Sequence, residues 1–153
     1  IWANQITRKW LKAISEDQWS APLVSSFGNI EATALHIAAA ESIWLERLQK
    51  VKSPLWLSHE KNPNRAETLA IWTAASQNLK SFIQEMEESD LDTFLTFKRR
   101  NGEENTMKLY HVLAHVFNHS TYHRGQLLTL LKQVGFNEVS GTDMLLFFQE
   151  GKK

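Results

Sequence analysis

Four long stretches of this chain repeat apolar residues at spacings of three and four, and few breakers interrupt them: 6 glycines and 3 prolines in 153 residues. That spacing is the helical period. Trp2, Ile6, Trp10, Ala13 and Ile14 predict a first helix from Ile1 to Ile14. The segment from Ser15 to Gly28 is mixed, with Pro22 and Gly28 as breakers. A second helix is expected from Asn29 to Val51, with Thr33, His36, Ile37, Ala40, Ile43, Trp44 and Leu48 on its inner face and Glu31, Glu41, Glu46 and Gln49 pointing elsewhere. Ser53-Pro54 ends it, and Leu55 to Asn64 reads as loop. A third helix is expected from Asn64 to Glu88: Asn64 with Glu67 forms a capping-box pattern, and Leu69, Trp72, Ser76, Leu79, Ile83 and Met86 mark one buried stripe. Between Leu91 and Thr106 the period changes. Phe94, Thr96 and Lys98 alternate with Leu95 and Phe97, and Asn101-Gly102 is a hairpin-turn signal. The fourth helix is expected from Thr106, as N-cap, to Val134, with Gly135 closing it, and a short final helix from Thr142 to Gln149. The fold class is therefore all-α, a four-helix bundle with a small hairpin inserted between the third and fourth helices.

Composition limits the function. A chain of this length supports one core, so residues 1–153 read as a single domain. Lys plus Arg number 17 and Asp plus Glu number 17, a balance that disfavours nucleic acid and anionic membrane surfaces as partners. Cysteine is absent, which excludes disulfides, Cys-based zinc sites and a thiol nucleophile. No signal-like segment and no run approaching the roughly 18 apolar residues of a membrane span is visible. The expectation is a soluble, cytoplasmic protein.

The histidines carry the chemistry. His111, His115, His119 and His123 lie on the predicted fourth helix at spacings of four. With Val116 set at zero and about 100° per residue, Leu109, Val112, Leu113, Ser120, Leu127, Leu130, Leu131 and Val134 fall within about ±60° and define the buried stripe. His123 falls near −20° and His119 near −60°, on the stripe; His115 lies at about −100°, on its edge, and His111 near −140°, in solvent. Two imidazoles one turn apart on a core-facing side are spaced to converge on one metal ion. His36, on the inner face of the second helix, adds a third, because bundle metal sites are built from facing helices. The competing reading is three core histidines bonded to carbonyls. His115 and Gln126 are candidates to hydrogen-bond the outer nitrogen of a metal-bound imidazole. His59 reads as a loop residue. Arg124, near 80°, suits a salt bridge between helices or at an interface, ahead of pairing with a substrate carboxylate. Trp10, Trp44 and Trp72 read as packing, and Lys98-Arg99-Arg100 as a solvated hairpin tip.

The run from His115 to Gln126, with its His119-x-x-x-His123-Arg124-Gly125-Gln126 core, resembles the hallmark of the DinB/YfiT-like metalloenzyme superfamily, the damage-inducible helical family and not the DNA polymerase of similar name. Trp2-Ala3-Asn4, the path from Ser26-Phe27-Gly28 through Leu35-His36-Ile37 to Glu41-Ser42-Ile43-Trp44-Leu45, and Gly141-Thr142-Asp143 are similar to its other segments. The resemblance implies up-down-down-up connections, a homodimer, and a divalent transition metal, zinc or nickel, held by His36, His119 and His123. It also implies thiol-dependent transfer among some relatives, with a low-molecular-weight thiol as partner to the small-molecule substrate. Two readings follow. One is a metal-dependent enzyme, a thiol S-transferase or a hydrolase, whose metal activates a thiol or water; no general base is placed by spacing. The other is a non-catalytic, stress-related interaction bundle with a structural metal or none.

Overall fold

A computed structural model describes residues 1–57, 63–99 and 101–150. His59 and Arg100 lie outside these residues. The chain forms α1 (Trp2–Ala13), α2 (Glu16–Ser20), α3 (Ile30–Leu48), α4 (Arg65–Gln84), a 3-10 turn (Glu88–Asp92), β1 (Phe94–Lys98), β2 (Glu104–Lys108), α5 (Leu109–Gln133) and α6 (Met144–Glu150). Among the described residues the fold is thus mostly helical with one small two-stranded sheet. No described helix is long and apolar enough to cross a membrane.

Helix ends follow local chemistry. Asn64 and Glu67 form the expected capping box at α4. Asn29 caps α3 by accepting from the Ala32 amide at 2.7 Å. Gly135, at φ +82°, ends α5: its amide donates to Lys132 O, and the Phe136 amide donates to Leu131 O at 2.9 Å, the paired bonds of a Schellman motif. α3 ends in the same pattern, with Lys50 N to Arg47 O and Val51 N to Glu46 O, and Lys50 takes the left-handed position at φ 55°.

Several expectations are corrected. The mixed segment after Ile14 contains α2, capped reciprocally by Ser15 and Gln18; five residues are too few for periodicity to reveal. α3 stops at Leu48 and α4 at Gln84, short of Val51 and Glu88. Thr106 is not the N-cap of α5. It belongs to β2, pairs with Thr96, and its hydroxyl meets the Thr96 hydroxyl at 2.8 Å. α5 starts three residues later, and the Leu109 amide is satisfied by Thr93 O at 2.9 Å instead of a side-chain cap. The hairpin pairs Phe94 with Lys108 and Lys98 with Glu104, so Leu95 and Phe97 turn toward the helices.

α3 packs on α4 and α5 and is buried along most of its length. Two apolar clusters result. One joins Trp10, Leu11 and Trp19 to Ile30, Ile37, Trp72, Leu127 and Leu131; the other joins Ile43, Trp44 and Leu48 to Leu79, Leu95, Val112 and Val116. Trp10, Trp44 and Trp72 are core residues, as their spacing predicts. Between the clusters runs a polar cross-section. Its centre is Glu41, expected to face away but only 3% exposed. One of its oxygens accepts from Asn4 Nδ2 at 2.8 Å and Ser120 Oγ at 2.9 Å, and the other from Ser76 Oγ at 2.5 Å. Asn4 in turn accepts from Arg124 Nη1 at 2.9 Å. Arg124 therefore reaches the carboxylate through an amide and not by the direct salt bridge its position suggested. Burial lowers the pKa of both Arg8 and Arg124, and the Glu41 charge opposes that shift in each.

Ser76→Ala removes one hydrogen bond to a buried charge and is expected to destabilise the fold by about 1–3 kcal/mol. Asn4→Ala strips Glu41 and Arg124 together and is expected to cost more; urea unfolding of the two variants checks the order. Lys50→Gly relaxes a left-handed position, and the same measurement is expected to show a gain approaching about 1 kcal/mol.

Candidate metal centre

α3 and α5 face each other one step along their axes from the Glu41 network. There His36 from α3 meets His119 and His123 from α5. His119 Nε2 lies 3.2 Å from His36 Nε2 and 3.2 Å from His123 Nε2. One ligand nitrogen from each of the three rings lies within 4.8 Å of the other two. His123 is buried, and His36 and His119 are half-buried.

The donor chemistry fits a cation. His123 Nδ1 sits 2.7 Å from Gln126 Oε1. An amide oxygen only accepts, so Nδ1 carries the ring proton and Nε2 presents a lone pair to the other rings. Burial lowers the pKa of His123, against a smaller raising effect from that bond. His119 falls further, to about 4, through burial first and then the fields of His123 and His115. Burial thus disfavours the charged form of His119 and His123, and the neutral imidazole is the form that ligates metal. Two Zn–N bonds of the usual length at a tetrahedral angle separate their nitrogens by about 3.3 Å; the observed 3.2 Å matches that spacing.

The surroundings are aromatic. Phe27 stacks on His36 at 4.4 Å between centroids and meets His123 edge-on at 5.5 Å. Trp56 lies 6.0 Å from the His36 ring, and Tyr122 packs edge-on against His123 at 5.0 Å. Phe27 is placed by a curl in which Leu23 N donates to Gly28 O at 2.7 Å while Gly28 adopts φ +82°. The roles of Phe27 and Trp56 as walls of the site went unseen in the sequence, because both sit in aperiodic segments that no helical wheel can place.

The other sequence candidates divide. Gln126 bonds His123 as described. His115 is exposed; its ring meets Trp44 at 5.3 Å and His119 at 5.8 Å, contacts of faces and edges and not a hydrogen bond to a ligand nitrogen. His111 is exposed beside Tyr110, away from the cluster.

A mostly helical fold with three convergent imidazoles on two facing helices defines a class: helical proteins with a histidine cluster able to hold a metal ion. A profile of the DinB family matches residues 1–151, and the chain belongs to that family. It is 25% identical over 145 residues to protein DinB of Bacillus subtilis (strain 168), covering 89% of this chain and 82% of that one. Two crystal structures share its fold. A DinB-like protein from Bacillus subtilis superposes with TM-score 0.70 at 15% identity, covering 92% of each chain. A DinB-like protein from Bacillus cereus ATCC 10987 gives TM-score 0.70 at 21% identity, covering 93% of this chain and 91% of the other.

The depressed pKa of His119 has a consequence for the metal-free protein. The unfolded chain binds the proton near the ordinary histidine value of 6.5, and the folded one near 4. The unfolded state holds more protons between those values, so stability rises with pH across that window. His36 from α3 and His115 and His123 from α5 face His119, and the fields of His123 and His115 add to the effect of burial. Thermal melts of chelator-treated protein at pH 7.5 and pH 5 are expected to show a lower midpoint at pH 5, with a smaller difference in His119→Phe.

Proposed function

We propose that this chain is a metal-dependent enzyme in which His36, His119 and His123 hold one divalent transition ion, zinc or nickel. The observation that carries the reading is the convergence of His36 and His123 Nε2 on His119 Nε2 at 3.2 Å each, with the His123 ring fixed in the ligating tautomer by Gln126. Three protein ligands leave a coordination position for an exogenous molecule, the arrangement of catalytic sites. A bound metal of this kind supplies Lewis acidity, lowering the pKa of a thiol or water toward neutrality. The chain's own residues do the rest: Gln126 holds the His123 proton on Nδ1, Phe27 and Trp56 restrict water around His36, and burial keeps His119 unprotonated. The reaction is thiol-dependent group transfer, with a low-molecular-weight thiol as co-substrate, or hydrolysis of a small molecule. Family membership and the half-buried, aromatic-walled setting support it over a structural ion. The four long helices are read as an up-down-down-up bundle. α3 and α4 each run from the Trp72 cluster to the Leu79 cluster, α5 runs the opposite way, and α1 runs from Asn4 toward Trp10 and Leu11, which supports that order.

Metal content of purified protein is expected to be about one divalent ion per chain, a single site of this donor set. His123→Ala is expected to lose it and His111→Ala to retain it; equal metal content in the two variants overturns the assignment. Gln126→Leu keeps all three ligands and is expected to weaken zinc affinity by roughly 10–100-fold, read by competition with a chromogenic chelator.

A further inference from the structure

An open groove of about 840 Å³ lies between the end of α3 and the hairpin. Its charge is not that of the whole chain. Among the described residues, Arg47, Lys50, Lys52, Lys98 and Arg99 line it against one acid, Glu104. The chain as a whole carries 17 cations and 17 anions, so this is a concentrated basic patch on a neutral protein. Lys50, Lys52 and Lys98 have no ion-pair partner among the described residues, whereas Arg99 has Glu103 at 3.6 Å. The groove also has an apolar side, made by Ile43, Trp56, Leu95 and Phe97. Trp56 is shared: it lines the groove and lies 6.0 Å from the His36 ring.

Arg47 distinguishes this groove from an ordinary solvated rim. Its guanidinium is held over Trp44 at 4.6 Å and Phe97 at 5.1 Å, and Nη2 donates to Lys98 O at 2.9 Å. Like Arg8 and Arg124 it is partly buried, and burial lowers its pKa. Arg8 and Arg124 have the Glu41 charge to oppose that cost. For Arg47 burial is the cause, and among the described residues no carboxylate opposes it. A fixed, partly desolvated cation beside exposed lysines and an aromatic wall is complementary to negative charge carried on an apolar body.

We infer that this groove binds a small organic anion, a carboxylate or phosphate ester with an aromatic or alkyl body, its charged end toward Arg47, Lys52 and Lys98 and its apolar body along Trp56. Ile43 is seven residues from His36 on α3, about 10 Å along the axis, a distance one extended small molecule spans. The groove is thereby a substrate subsite beside the histidine cluster, joined to it through Trp56. Its binding of an anion is independent of the proposed metal; only its service to a reaction rests on that reading.

The test uses three probes on the metal-loaded full chain: 4-phenylbutyrate, phenyl phosphate and the neutral 4-phenylbutyramide, followed by calorimetry and by the amide signals of Leu95, Thr96 and Phe97 with the Trp56 indole. One or both anions are expected to bind saturably and shift those signals, and which of them binds assigns the head group. The neutral amide is expected to bind at least about tenfold more weakly, a difference of about 1.4 kcal/mol. The double variant Lys52→Glu, Lys98→Glu changes exposed side chains and is expected to keep its metal and lose anion affinity by a similar factor. His123→Ala is expected to retain the anion site while losing metal. No saturable anion binding, equal affinity for the neutral amide, an unaffected Lys52/Lys98 double variant, or loss of anion binding in His123→Ala each overturns the inference. The last of these would mean that the anion had been ligating the metal.

Discussion

Glu41 is the constraint on which the rest of the molecule turns. A carboxylate in an apolar interior is costly to desolvate. Here that cost is offset by donors from three other helices: Asn4 on α1, Ser76 on α4 and Ser120 on α5. The bonds are directional and short, so they fix more than cohesion. Apolar clusters of suitable volume tolerate repacking, and a helix can slide along its neighbour with little loss of buried area. A buried polar hub does not permit that, because a slip of one residue leaves a charge without its donors. Glu41 thus acts as a register pin for four helices. Arg8 and Arg124 complete it electrostatically without touching it.

The candidate metal centre inherits this register. Ser120, bonded to Glu41, follows His119 by one residue and precedes His123 by three. His36 precedes Glu41 by five on the facing helix. Setting the Glu41–Ser120 contact therefore sets the axial offset at which the three rings meet. The two polar features form one cross-section between two apolar clusters, and their roles differ. The Glu41 side is saturated with donors and closed. The histidine side presents lone pairs, is walled by aromatic faces and is only partly covered.

The legible part of this arrangement was the part governed by a period. The rotation of α5 placed His119 and His123 inward and His111 outward, and the structure places them so. The 3-4 rhythm found the long helices, and Asn101-Gly102 with the alternation of Leu95 and Phe97 found the hairpin. What escaped was governed by long-range partners. Glu41 looked like a solvent residue because nothing local signals that Asn4, Ser76 and Ser120 converge on it from 37, 35 and 79 residues away. Thr106 is a good N-cap by type, but strand pairing with Thr96 outweighs a single capping bond. Phe27 and Trp56 lie in loops whose course is set by Gly28 and by Glu46, which accepts from the Leu55 amide at 2.6 Å.

The end of α3 shows how binding surface and stability are traded. Lys50 occupies a left-handed position where glycine would be less strained, at a cost of about 1 kcal/mol or more for a residue with a Cβ. A glycine there would serve the helix end but leave the groove rim without a cation and the following segment less restricted. That segment carries Lys52, Pro54 and Trp56, and the Glu46–Leu55 bond brings Trp56 back over His36. Strain persists where surrounding structure over-determines it, and such positions cluster at binding sites. The core satisfies the buried Glu41 carboxylate with three donors, whereas the groove leaves Arg47 partly desolvated and, among the described residues, without a counter-charge. The first arrangement favours a fixed helix register. The second favours the arrival of something negative, next to the histidines whose positions that register holds.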